Sequence, residues 1–160
     1  MKADFRTQLG KGPLGTASTE TPFGMVCPES MATMHSVACL GDIPQMGGKD
    51  QCYFPDDFTY KIVSANDNPS QNIEKFFAET SPFILQGAKA GGCLVHCYAG
   101  VSRSTTCIIA YLMDTHGLSA DDALAQVRKG RPEANPNEGF WIQLKNYEKV
   151  LEERRKGGKV

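Results

Sequence analysis

Nine consecutive residues, His96-Cys97-Tyr98-Ala99-Gly100-Val101-Ser102-Arg103-Ser104, bring a thiol, a glycine-bearing loop and an arginine into one short segment. The apolar run Cys93-Leu94-Val95 leads in like a strand, and Thr105 to Met113 leads out like a helix. A loop opening onto a helix N-terminus aims backbone N–H groups into its own concavity, where the helix dipole favours negative charge. Cys97 starts that loop, in the environment that lowers a thiol pKa and holds the sulfur as thiolate. Arg103 closes it with a planar fork matched to two phosphate oxygens. The loop positions Tyr98, Ala99, Gly100, Val101, Ser102 and Arg103 supply the amides of an oxyanion cradle. A nucleophile and a cradle in one segment suit phosphoryl transfer to sulfur.

The flanking sequence indicates what must position this loop. A short strand is expected near Ser36 to Leu40, followed by a long loop from Gly41 to Asp57 with two Pro and two adjacent Gly. Tyr60 to Ala65 reads as a strand ending in the turn set Asn66-Asp67-Asn68-Pro69. Ile73, Phe76, Phe77, Phe83 and Ile84 follow helical spacing, and Pro82 predicts a kink or a restart with Ser81 as N-cap. Gly91-Gly92 punctuates before the strand Cys93 to His96. After the loop come a buried helix stopping near His116-Gly117, and a second helix capped by Ser119 and running to about Lys129. A last helix is opened by Pro136-Asn137-Glu138-Gly139. Its apolar stripe is Phe140, Leu144, Tyr147 and Leu151, and Asn137 is expected to cap it and tether a loop. The pattern is α/β: a central, mostly parallel sheet flanked by helices, with a helical C-terminal half.

Length and composition set the bounds. The 160 residues suit one domain with a real core, and 41% apolar with 22% charged residues is an ordinary globular balance. Residues 1–30, rich in Gly, Pro, Ser and Thr, read as an irregular arm, 31–155 as the catalytic domain and 156–160 as a tail. A formal charge of -1 leaves no footprint for nucleic acid. No 18-residue apolar run or signal-peptide core is present, so neither membrane nor export is expected. Six cysteines without a CxxC pair read as reduced thiols, which places the chain in the cytoplasm with the nucleus open. His35, His96 and His116 show no metal-ligand spacing. A disulfide between Cys97 and a neighbour such as Cys93 stays open.

The form His-Cys-x5-Arg-Ser resembles the cysteine-based protein tyrosine phosphatases, and most of all their small dual-specificity branch. The resemblance extends through Leu94-Val95-His96-Cys97, Gly100 to Ser104, Ala110-Tyr111-Leu112-Met113, Arg131, Pro136-Asn137-x-Gly139-Phe140, Gln143-Leu144 and the upstream Asp67 with Asn72-Ile73. It covers about Phe58 to Leu151 and fades toward Met34. Residues 1–33 lack the Leu/Tyr–Gly strand with which this branch usually begins.

The resemblance implies a phosphatase fold and roles for single residues, without metal or cofactor. Cys97 attacks phosphorus and carries a cysteinyl-phosphate, and Arg103 with the loop amides holds the equatorial oxygens. Asp67, thirty residues upstream of Cys97 on a loop expected to move, is the general acid. Ser104 stabilises the thiolate and assists phospho-enzyme breakdown, and His96 orients the loop. Arg131 stands at the rim to meet a second phosphate or an acidic side chain. The implied partners are phosphoproteins, with phosphate, sulfate or vanadate as loop ligands. The variable loop positions carry no Lys or Arg, which favours phosphoproteins over phosphoinositides. Tyr60, Phe54 and Phe58 serve equally as cleft wall or core. A binding module built on the same cradle, and a phosphatase for RNA 5′ ends or lipids, are the competing readings.

Overall fold

The computed structural model describes residues 36–41 and 56–157. The expected N-terminal arm, the missing first-strand pattern, Phe54 and most of the 41–57 loop lie outside them. Strand β1 (Ser36–Gly41) is central, paired in parallel with β2 (Thr59–Ser64) on one side and β3 (Cys93–His96) on the other. In register, Cys39 stands level with Ile62 and with His96. Chain direction is therefore shared, and the loops that leave β2 and β3 emerge at the same edge. In parallel sheets that carboxyl edge is where ligand sites form.

Between β2 and β3 run a 3-10 turn (Glu74–Phe76) and helix α1 (Phe77–Ala90). Of the kink or restart expected at Pro82, the restart does not occur. Pro82 lies inside a continuous α1, and Ser81 is buried within it with its hydroxyl unpartnered, so it is not an N-cap. The physical reason is where the lost bond falls. The carbonyl deprived of a donor belongs to Ala78, and both Ala78 and Pro82 are exposed, so water takes the place of the missing N–H. Buried Phe77 and Ile84 anchor the helix on either side of the proline.

The C-terminal half is helical, as its pattern predicted. Helix α2 (Arg103–His116) starts two residues earlier than its apolar run and is buried along most of its length. Helix α3 (Ala120–Gly130) begins at Ser119, whose hydroxyl accepts the Asp122 N–H. Helix α4 (Glu138–Gly157) turns Phe140, Leu144, Tyr147 and Leu151 inward, all buried. Tyr147 meets Phe77 edge-on at 5.1 Å, which ties α4 to α1. Helix α2 packs against α1, α3 and α4, so the loop that precedes it rests on the best-buried element of the domain. No described helix is long and apolar enough to cross a membrane.

Candidate active site

The turn from β3 into α2 carries Cys97, the candidate nucleophile. Gly100 at its bend has φ +65°, a conformation that costs an L side chain energy. A Cβ there would also lie 3.2 Å from the Arg131 guanidinium. Ser102 is the N-cap of α2, yet its hydroxyl makes no capping bond to the helix. The usual serine cap bonds an amide of the first turn. Here that hydroxyl donates instead to Asp67 Oδ1 at 2.7 Å, which leaves the first-turn amides for an anion.

Cys97 is buried, with Sγ 3.2 Å from Ser104 Oγ. Burial pushes its thiol pKa up. The Ser104 hydroxyl, the backbone N–H groups of Ser104 and Gly100, and the Arg103 charge together outweigh that and hold it below the ordinary thiol value. Cys93 and Cys107 lack such donors in number, and burial drives them up to about 11 and about 12. All three are free thiols. Burial pushes the His96 pKa down, against a backbone bond with Cys97 that raises it, so the ring is neutral at pH 7. At pH 7, iodoacetamide followed by peptide mapping is expected to label Cys97 ahead of Cys93 and Cys107. Because the thiolate is lost as pH falls through its own lowered pKa, labelling should titrate below the ordinary thiol range. Ser104→Ala should move that midpoint upward, and an unchanged midpoint would remove the hydroxyl from thiolate stabilisation.

Arg103 is nearly fully buried. One Nη donates to Ala65 O at 3.2 Å, fixing the side chain to the end of β2. Its Nε lies 3.5 Å from Asp67 Oδ2 but makes no well-formed hydrogen bond. Ion-pair distance without bond geometry leaves a buried donor able to take an oxyanion at little desolvation cost.

Asp67 is brought to the loop by the parallel register of β2 and β3. Its Oδ1 accepts from both Ser102 Oγ and Asn137 Nδ2, the latter at 2.9 Å. Asn137 performs the two roles expected of it: its Oδ1 accepts the Phe140 N–H at 2.9 Å as a helix cap, while its amide tethers the acid loop. Arg131 stands against the loop with its side chain partly exposed. Its Nε donates to Gly100 O and one Nη to Ala99 O, at 2.8 and 2.9 Å. With those carbonyls held outward, the intervening amides are free to face the cradle.

Tyr98 is 86% exposed beside the nucleophile, the most accessible aromatic of the loop. Phe58 and Tyr60 pack edge-on at 6.4 Å. Sequence reasoning did not anticipate Gln143 as part of the site's support. Its Oε1 accepts from Ile73 N and Glu74 N at 2.8 and 3.1 Å, and its Nε2 donates to Gln71 O at 2.9 Å. An amide side chain on an otherwise buried helix face was the available signal.

Residues 34–150 match the family described as dual specificity phosphatase, catalytic domain. The chain is 50% identical over 91 residues to human dual specificity protein phosphatase 22, covering 56% of this chain and 50% of that one. It is 46% identical over 99 residues to dual specificity protein phosphatase 1 of Arabidopsis thaliana, covering 61% and 50%. The chain thus spans about half the length of these curated relatives. Among solved structures, the human tyrosine phosphatase-like serine/threonine/tyrosine-interacting protein superposes with a TM-score of 0.66 at 36% identity, over 74% of this chain and 78% of that one. A mouse dual specificity phosphatase complexed with zinc tungstate superposes with a TM-score of 0.65 at 30% identity, over 89% and 97%. The thiol-bearing loop, its arginine and the family match over most of the sequence agree, and this chain belongs to the dual specificity phosphatases.

Proposed function

We propose that the domain hydrolyses phosphotyrosine and phosphoserine or phosphothreonine on proteins, without metal, through a phosphoryl group carried on Cys97. The observation that carries this reading is the Cys97 thiol 3.2 Å from the Ser104 hydroxyl at the start of the loop, with the buried, incompletely bonded Arg103 beside it. Cys97 Sγ attacks phosphorus in line and the P–O bond to the leaving group breaks. Arg103 and the loop amides hold the three equatorial oxygens as charge redistributes. Asp67 gives its proton to the departing oxygen, and then takes one from the water that attacks phosphorus as the P–S bond breaks and Cys97 leaves as thiolate. Ser104 donates to the sulfur as it leaves. Arg131 we assign to holding the loop, since its Nε and one Nη are already engaged by loop carbonyls. The loop's uncharged variable positions support phosphoproteins over highly charged lipid headgroups.

A binding-only role is the second reading, favoured by the structural relative named as a phosphatase-like interacting protein. Against it stand the thiol, the acid and the arginine, which a binder does not need together. Asp67→Asn separates the two. It should lower turnover of a phosphothreonine peptide by ~10²- to 10³-fold, while an aryl phosphate with a good leaving group loses far less. Steady-state kinetics in the presence of EDTA measure both. Equal losses on the two substrates would take Asp67 out of the acid role, and activity that requires a divalent cation would overturn the mechanism.

A further inference from the structure

We infer that Asn137, at the head of α4, is a positioning residue that selects which oxygen of Asp67 delivers the proton. The inference deepens the phosphatase reading and rests on it.

The argument begins with a closed set of hydrogen bonds. Asn137 Oδ1 accepts the Phe140 N–H, so the orientation of its amide is fixed and Nδ2 must be the group that faces Asp67. Asn137 reaches Asp67 by a second route too. Its backbone N–H donates to Ser102 Oγ at 3.1 Å, and that hydroxyl passes its single proton to the same Asp67 Oδ1. A carboxyl oxygen offers two lone-pair sites. Ser102 and Asn137 occupy both on Oδ1, so the acidic proton belongs on Oδ2. Oδ2 is the oxygen that faces Arg103 Nε at 3.5 Å, on the side where a phosphoryl group would sit.

The rest of the first turns of α4 hold the loop that carries Asp67 against the same point. A Cβ at Gly139 would come within 1.9 Å of Pro69 O, so α4 and the acid loop touch backbone to backbone. Gln143 fastens the far end of that loop through Gln71, Ile73 and Glu74. The acid is thus set from α4 as well as from β2, before substrate enters. Preorganising a proton donor matters because a misplacement of about 1 Å can cost on the order of 10²-fold in rate.

The test uses the whole chain and a series of phosphate esters whose leaving groups run from dinitrophenol to an alkyl alcohol. Asn137→Ala should reduce kcat on the alkyl ester and on a phosphothreonine peptide by roughly 10- to 100-fold, and leave dinitrophenyl phosphate within about 2-fold, because that leaving group needs no proton. The dependence of kcat on leaving-group basicity therefore steepens. Asn137→Ser keeps a helix cap of equal quality but is too short to reach Asp67, and it should behave like Asn137→Ala. In an Asp67→Asn background, Asn137→Ala should cause no further loss. If Asn137→Ser restores wild-type kinetics, or if Asn137→Ala slows all esters equally, Asn137 is only a cap and the inference fails alone. If Asp67→Asn itself leaves the leaving-group dependence unchanged, the acid assignment fails and this one with it.

Discussion

Cys97→Ser should abolish turnover, by about 10⁴-fold or more, while the domain stays folded and still binds an oxyanion. The cradle stabilises an anion at position 97 through the Ser104 hydroxyl, two backbone N–H groups and the Arg103 charge. Those contributions hold the thiol below its ordinary pKa against the cost of burial. They are not enough to ionise an alcohol, which stays protonated and is a poor nucleophile. Oxygen is close in size to the sulfur it replaces, so the loop amides and Arg103 keep their geometry. Calorimetric titration with tungstate or phosphate should therefore give an affinity near that of the wild type, while phosphatase assays read background. A serine variant retaining more than about 1% of wild-type turnover would remove Cys97 as the nucleophile. The same variant, used to trap substrates from a lysate, also reports which phosphoproteins dock.

Arg103→Lys should lower kcat/KM by ~10²- to 10³-fold even though the charge is kept. The guanidinium has two contacts in the structure and a third task in the proposed mechanism. One Nη holds Ala65 O at the end of β2, Nε faces Asp67 Oδ2, and the donors not bonded to protein would meet phosphate oxygens. An ammonium is a point charge on a flexible stem and cannot serve all three directions at once. The loss should appear in kcat as well as KM, because the bonds to the equatorial oxygens strengthen as the transition state forms. A loss under about 5-fold would mean that net positive charge suffices and that the fork has no special role.

Much of the site could be read in the residues themselves. Cys97, Gly100, Arg103 and Ser104 lie within eight positions, and a strand–turn–helix segment imposes its own geometry over so short a span. The amphipathic stripe of α4 and the Ser119 cap were likewise local, each set by spacing of 3.6 residues per turn or by one side chain bonding a nearby amide. Pro82 does not end α1 because propensity describes an isolated helix, and here the broken bond fell on the solvent side while buried Phe77 and Ile84 anchor both sides. For Arg131 the residue type pointed to the loop's neighbourhood, and only the fold shows its long side chain reaching the loop carbonyls.

Order along the chain alone thus pointed to the Cys97 loop as an anion cradle and to the α/β character, because each depends on neighbours within a turn or two. Only the tertiary structure decided how Asp67 is presented. Its partners, Ser102 and Asn137, lie 35 and 70 residues away, and they meet because parallel strands deliver their loops to one edge while α4 packs its first turn against it. Contacts that distant carry no local periodicity or spacing, so they become visible only when the elements are assembled.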